Sequence, residues 1–430
     1  MAKQKIIAGI DIGSSKITTL IAQVSVEPMT YETSVSVVGV SSTVSRGVKK
    51  GQIVNIEEAV ESIIASVEGA ERMAGYNLDS AYISVGGAHV ASQNSTGVVA
   101  VSDPNGEVNG ADVARVIQAA RAISVPAARQ VIHVLPREFM VDGERGVRDP
   151  VGMSGVRLEV DTHLVTVSSA ALKNVTKAVN EVGVKINDTV FTGLASAYAT
   201  LSDTEKELGC VLIDIGAGTT SIAAYVDGAL AYSGALPVGA RNVTNDLAIG
   251  LRVSLDAAEN IKLKLSDKSF MTKIQQGSKD TKHDQIEISE TGSTEIKKVA
   301  KRTLTEGIIK PRMNEIFSMV RSELERVGIV HKIPSGAILT GGGALTVGAE
   351  DSARKVLSVP VRVASPSGIS GLIDDIVNPQ FATAVGLVLY GVRQNPESQN
   401  AQPFSTGKLK NLPSGKMFTR LLESIRDLLP

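Results

Sequence analysis

The chain has 430 residues and a formal net charge of −1, with 43% hydrophobic and 21% charged residues. That length is too great for one core and predicts two or more lobes. A charge near zero and only 3% aromatic residues, none of them Trp, exclude a general nucleic-acid binder and a base-stacking platform.

In chain order, residues 6–24 read as two strands around a tight turn, and 34–40 as a third strand, with Val35 and Val37 on one face. A helix is predicted over 56–74. Ile56, Val60, Ile63, Ile64 and Val67 recur at helical spacing, and Glu57 and Glu58 sit in the first turn, where the dipole favours them. A strand follows at 81–85. From about 86 to 161 the texture changes to a Gly pair, a Pro104-Asn105-Gly106 turn, a helix at 110–123 and short strands. That fits a small inserted α+β module. Strand patterning resumes at 164–168, with a helix at 173–182.

The second half repeats the plan. It has a hairpin at 209–227, a helix at 256–265 and a polar stretch at 266–294 with a strand at 285–288 inside it. A long amphipathic helix at 308–327 follows. An apolar strand at 337–340 then runs into three glycines and a helix, and 381–392 is a final buried helix, too short to span a bilayer. Residues 393–415, rich in Gln, Asn, Pro and Ser, read as a flexible linker. The N-terminal apolar run is brief and interrupted by Asp11, unlike a secretory signal. Cys210 is the single cysteine, so no disulfide framework is expected and a reducing cytoplasm fits. The five histidines show no ligand spacing, and no zinc site is expected.

The chemistry concentrates in two copies of Asp-Ile-Gly, at Asp11 and Asp214, 203 positions apart. Each closes an apolar strand and opens a turn of tiny, hydroxyl-bearing residues. The two carboxylates can face one Mg2+ that keeps several waters. Gly13, Ser14, Ser15 and Lys16 can meet phosphate oxygens from one side, and Gly216, Ala217, Gly218, Thr219 and Thr220 from the other. Two ordinary hairpins whose Asp caps a turn are the alternative, which the duplication disfavours. Gly341, Gly342 and Gly343 end a strand and can let a base or ribose lie on bare backbone; a tight strand–helix connection has the same pattern. Glu259 and Lys262, three apart on one helix, either grip a ribose and a phosphate or form a solvated pair.

The end of the chain carries a different signal. Met417, Phe418, Leu421, Leu422, Ile425, Leu428 and Leu429 fall on one stripe of a predicted helix at 416–430. With a modestly basic opposite face and a flexible tether, it suits an anionic membrane surface. Docking on the body or on a partner is the other reading.

Five segments, in this order, resemble the actin-like ATPase superfamily: a first phosphate loop (11–16), a connecting helix (192–200), a second phosphate loop (214–220), an adenosine loop (340–344) and a second connecting helix (381–389). Within it the chain is similar to the FtsA-like division proteins, through Gly193-Leu194-Ala195-Ser196-Ala197-Tyr198, Thr383-Ala384-Val385-Gly386-Leu387 and the family-specific stretch from Asp149 to Arg157. The resemblance implies an α/β, actin-like, duplicated ribonuclease-H-like two-lobe fold. Its expected parts are subdomain 1A (1–83 and 163–205), an inserted 1C (84–162), 2A (206–245 and 330–392) and 2B (246–329), then the linker (393–415) and tail helix (416–430).

The resemblance also implies ATP and Mg2+ as cofactors, filament formation, and a peripheral place on the cytoplasmic side of the membrane at the division site. The implied partners are the FtsZ C-terminal peptide, contacted through Arg312 and Glu315, and other division proteins. An assembly scaffold like PilM, or a small-molecule kinase of the same superfamily, is the alternative. Three positions depart from the family pattern. Ala217 replaces the central glycine of the second turn, Ser266 replaces a Gly, and the first connecting helix has no Glu or Gln to position a water. Ser196 and Tyr198 are poor bases at neutral pH, so nucleotide binding is expected ahead of turnover.

Overall fold

A computed structural model describes residues 5–26, 33–267, 285–289, 296–372 and 376–394. The linker and the tail helix expected at 393–430 lie almost wholly outside them. The described chain divides into two compact units, one of residues 5–93, 125–133 and 163–392, the other of 94–124 and 134–162.

The larger unit contains two sheets built on one plan. In the first, β1 (Lys5–Ile12) pairs antiparallel with β2 (Lys16–Val26), which pairs antiparallel with β3 (Thr33–Val44). On its other side β1 runs parallel to β4 (Ser80–Val85), which runs parallel to β5 (Lys185–Phe191). The second sheet repeats this with β6 (Cys210–Ile215), β7 (Thr220–Val226), β8 (Ala229–Leu236), β9 (Ala337–Thr340) and β10 (Val361–Val363). Three antiparallel strands and two parallel crossovers therefore occur twice. Parallel neighbours bury both faces of the central strand, which is why β6 (Cys-Val-Leu-Ile-Asp-Ile) is buried at every position and shows no alternation.

The helix over Ile56–Ala74 has the predicted bounds. Asn55 caps its start by accepting from the Glu58 N–H, and Gly75 ends it in the left-handed region. The helix expected from 173 begins earlier, at Ser169, because Ser168 provides a cap on the Ala171 N–H. The helix Lys310–Arg326 is preceded by a π-helical turn, Thr305–Ile309, and a short α-helix, Lys301–Leu304. Three glycines do not lead straight into a helix; a 3-10 turn, Gly342–Leu345, intervenes before Ala349–Leu357.

The smaller unit takes residues 94–100, 134–141, 144–147 and 157–162 of a four-stranded sheet in the order Ala91–Ala100, Arg157–Ser168, Arg129–Val141, Glu144–Val147, and a helix at Gly110–Arg121. Val113, Val116, Ile117 and Ala120 from the helix pack with Phe139, Val141, Leu158 and Val160 from the strands. Asp112 anchors this helix. Its fully buried carboxylate accepts from the Ser102 hydroxyl at 2.7 Å, the Ser102 N–H at 3.2 Å and the Asn109 N–H at 3.1 Å, and it pairs with Arg115. Burial alone would raise its pKa. The hydrogen bonds from Ser102, Asn109 and Arg115 outweigh that and hold it at about 2.

The stability this carboxylate adds is present above pH 4. It should be lost as pH falls from about 4 to 2, for roughly 2 kcal/mol. Asp112→Ala should cost about 3 kcal/mol at pH 7 by leaving these donors unpaired. Urea denaturation at pH 7 and pH 3 checks this, since the penalty of the variant should shrink at the lower pH.

Candidate functional site

The two Asp-bearing hairpins are superimposable in chemistry. In the first, the Gly13 N–H donates to the Lys16 carbonyl at 3.1 Å; in the second, the Gly216 N–H donates to the Thr219 carbonyl at 2.8 Å. Asp11 pairs in register with Thr18, and Asp214 with Ser221, the same offset from each turn. The turns meet. A Cβ built on Gly218 would come within 3.0 Å of Ser14 Oγ, which accepts from the Gly51 N–H. Ala217 keeps a negative φ, so its methyl group is accommodated where a glycine is commoner. The N-terminal residues of the helix Ala240–Leu251 hold the second turn, with the Ala240 and Arg241 N–H groups donating to the Gly216 and Ala217 carbonyls.

The carboxylates are held by hydroxyls. Asp11 Oδ1 accepts from Ser84 Oγ at 2.8 Å, and Ser84 Oγ also accepts the Ile12 N–H at 2.9 Å. Burial raises the Asp11 pKa to about 6; Ser84 and Lys16 oppose the rise and the nearby Asp214 charge adds to it. Asp214 Oδ2 accepts from Ser196 Oγ at 2.5 Å and from Thr383 Oγ1 at 3.0 Å. Burial raises its pKa too, against those two hydrogen bonds. The contribution of the Asp214 charge to the Asp11 shift places the two carboxylates near one another. Lys16 completes the cluster. Its ammonium lies 3.8 Å from the centroid of the Phe381 ring, and burial lowers its pKa to about 8 against the pull of Asp11.

The three glycines split into two kinds. Gly341 has φ of +81°, and a Cβ there would lie 2.3 Å from Asp214 Oδ1. A Cβ on Gly343 would strike Ile215 Cγ2 at 2.4 Å. Gly342 is exposed, and a Cβ there would meet only Gln380 Cβ at 3.7 Å.

Other sequence-selected residues are placed less directly. The Thr220 hydroxyl is buried and donates to the Val238 carbonyl, so it is turned away from the shared space. Ser15 is exposed at the tip of its turn. Lys262 is buried, and its ammonium is spent on Glu259 Oε2 at 2.8 Å, Thr244 Oγ1 at 2.9 Å and the Ala240 carbonyl. Glu259 stays half-exposed beside it. Ser266 accepts the Val347 N–H at 3.1 Å, which explains a hydroxyl where the family pattern has Gly. Arg312 makes a two-pronged pair with Asp246 at 2.5 and 2.9 Å and also pairs with Glu315, which is exposed. The membrane-stripe residues from Met417 to Leu429 lie outside the described residues. Sequence reasoning missed Ser84, Thr383 and Phe381. Their only signals were a hydroxyl ending a strand next to a Gly pair, and a Phe and a Thr opening a buried helix.

A model of the SHS2 domain inserted in FTSA matches residues 87–166, and a model of the cell division protein FtsA matches 211–386. The cell division protein FtsA of Pseudomonas aeruginosa is 38% identical over 97% of this chain and 96% of its own length. That of Bacillus subtilis is 37% identical over 91% of this chain and 85% of its own. This chain belongs to the FtsA family. It is thus a cell-division protein with an actin-like fold and an SHS2 insertion.

A solved type IV pilus biogenesis complex of PilM and PilN shares the fold, with a TM-score of 0.60 at 17% identity over 90% of this chain and 98% of that one. The duplicated sheets of the larger unit are the two halves of the FtsA-family fold. The four-stranded sheet and its helix fall in the segment matched by the insertion. Among the described residues, no helix is long and apolar enough to cross a membrane.

Proposed function

We propose that this chain binds ATP with Mg2+ in the space between its two Asp-bearing turns, polymerises on the cytoplasmic face of the membrane, and tethers the FtsZ ring during division. The observation that carries this is the pair of equivalent carboxylates, Asp11 and Asp214, at facing turns with Lys16 beside them.

The residues fit the cofactor. Among the described residues no three His, Cys, Asp or Glu side chains converge to cage a metal. Two carboxylates alone suit a hard cation that keeps water and arrives with phosphate oxygens. Bound Mg2+ would supply positive charge between the carboxylates and the phosphates. Lys16 and the backbone of residues 13–16 and 216–219 would orient the phosphate chain. Gly342 offers bare backbone to a ribose or base. Glu259, half-exposed and held by Lys262, would reach for a ribose. The Ser196 hydroxyl donates its hydrogen bond to Asp214, and neither it nor Tyr198 is a base at neutral pH, so the first connecting helix offers no general base to a water. Binding with slow turnover at most follows.

The rest of the reading rests on family membership and on the sequence. The four-subdomain division assigns 84–162 to 1C and 246–329 to 2B. The apolar stripe of the tail would lie in the membrane interface, and polymerisation would multiply its weak grip. Glu315, exposed on the 310–326 helix and braced by Arg312, is the proposed contact for the FtsZ C-terminal peptide.

Flotation with vesicles containing phosphatidylglycerol, in Mg-ATP, tests the whole. The wild type should float and Leu421→Glu should stay at the bottom. Asp214→Ala should weaken Mg-ATP binding at least thirtyfold, on the order of 2 kcal/mol or more, as measured by calorimetry. Unchanged flotation of the first variant, or unchanged affinity of the second, overturns the reading.

A further inference from the structure

The Asp214 carboxylate is shared between two helices from distant parts of the chain. Ser196 lies on the helix Thr192–Thr200 and Thr383 on the helix Ala382–Arg393. Both hydroxyls reach the same oxygen, Oδ2, at 2.5 and 3.0 Å, and they lie 3.0 Å from each other. Three oxygens thus form a buried triangle containing two hydroxyl hydrogens. Ser196 spends its hydrogen on the shorter contact, to Asp214. The Thr383 hydrogen has two acceptors at equal distance, Asp214 Oδ2 and Ser196 Oγ, so the charge on the carboxylate decides where it goes. The remaining oxygen, Oδ1, sits against the bare Cα of Gly341 and receives neither hydroxyl.

The helices cross close to the triangle. A Cβ built on Gly386 would lie 1.8 Å from the carbonyl oxygen of Ala195, the residue next to Ser196. Thr383 is one helical turn from Gly386. Both helices are therefore held at two neighbouring points, one by packing and one by the carboxylate.

We propose that Ser196 and Thr383 are positioning residues that reserve Asp214 Oδ1 for a cation and carry the charge state of that carboxylate to the crossing of the two helices. This rests on the nucleotide reading above. With a cation at Oδ1, part of the negative charge on Oδ2 is withdrawn. The Thr383 hydrogen then turns toward Ser196, and the second helix is tied to the first rather than to the carboxylate. Ser196, at the place where an actin-like hydrolase positions a water, becomes a relay instead.

The test uses the full chain and two measurements: the Mg2+ concentration for half-maximal ATP binding, and hydrogen exchange of the two helices with and without Mg-ATP. Thr383→Val keeps shape and loses the hydroxyl, whereas Thr383→Ser keeps the hydroxyl. Thr383→Val should raise the Mg2+ requirement about tenfold. ATP affinity in EDTA should stay within about twofold, and the Mg-ATP-dependent change in exchange at 382–393 should be lost. Thr383→Ser should restore both. Ser196→Ala should raise the Mg2+ requirement similarly and remove the exchange response at both helices. Wild-type behaviour of Thr383→Val, when the wild type itself binds Mg-ATP, overturns the inference alone. A wild type that shows no Mg2+-dependent binding overturns the functional reading and this inference with it.

Discussion

Gly386→Ala should destabilise the protein by about 2 kcal/mol, although Ala is the better helix former. Two effects compete. In a free helix the change would stabilise by about 1 kcal/mol, because Gly carries a larger backbone entropy loss. In this fold the added methyl group would lie 1.8 Å from the Ala195 carbonyl oxygen, 2.4 Å from its carbon and 3.2 Å from its Cα. None of these is the end of a flexible side chain. Relief requires the helices Thr192–Thr200 and Ala382–Arg393 to move apart by more than an ångström. Nine of the twelve residues of the second helix are buried, so such a shift breaks packing on every side. Overpacking of this kind costs roughly 1–3 kcal/mol and sometimes more, which outweighs the propensity gain. Urea denaturation of the full chain reads the difference. A neutral or stabilising result would show that the crossing is looser than drawn.

Gly341→Ala should severely weaken Mg-ATP binding, whereas Gly342→Ala should leave the fold intact. The first change asks an L-residue to adopt φ of +81° and ψ of 165°, and puts its methyl 2.3 Å from Asp214 Oδ1 and 2.6 Å from the Ile215 carbonyl oxygen. The backbone strain alone is on the order of 1–3 kcal/mol. The carboxylate must also rotate, and it cannot do so without releasing Ser196 or Thr383. An affinity loss of at least about a hundredfold is expected, with a thermal midpoint lower by several degrees. Gly342 is different, since an added methyl would make an ordinary contact with Gln380 and nothing else. Its substitution should leave the melting temperature within a degree or two while lowering ATP affinity severalfold, because the methyl would occupy the face proposed for the ribose or base. Equal effects of the two substitutions on stability would contradict the assignment of Gly341 as a structural glycine and Gly342 as a ligand-facing one.

The pH behaviour of the site follows chiefly from the burial of Asp11. The Asp11 pKa stands at about 6, above its unfolded value of 3.8. The folded state therefore holds its proton more tightly than the unfolded state. Stability from this group is present below pH 4 and falls away as pH rises from 4 to 6, the opposite of Asp112. Above about pH 6 the folded protein carries an ionised Asp11 despite its burial, a cost that a bound cation would offset.

Much of this molecule was legible in its residues. Asp11-Ile12-Gly13 and Asp214-Ile215-Gly216 announce their hairpins because a strand, a turn of small residues and a returning strand depend on contacts a few residues apart. The 56–74 helix was legible for the same reason, since Asn55, the first-turn acids and Gly75 act within one turn of its ends. The apolar stripe from Met417 to Leu429 is also a local pattern, and it lies outside the described residues. The repetition of the hairpin at an interval of 203 residues pointed to the duplicated sheets, although each sheet is closed by strands no local rule could pair. By itself, the sequence determined the two hairpins, the strongly periodic helices, the duplicated plan and the acidic residues at its centre.

Only the tertiary structure decided what those residues do to one another. Asp214 meets Ser196 from 18 positions away and Thr383 from 169, and the two hydroxyls are 187 apart. Arg312 finds Asp246 across 66 residues. The three adjacent glycines are identical in sequence, and only Ile215, by its backbone and side chain, and the carboxylate of Asp214 distinguish the first and third from the second. Lys262 looked free to grip a ligand until the helix Ala240–Leu251 placed Thr244 and the Ala240 carbonyl around its ammonium. Helix and turn preferences act over a few bonds. The partner of a buried polar group is set by which elements pack together, and that is a property of the whole chain.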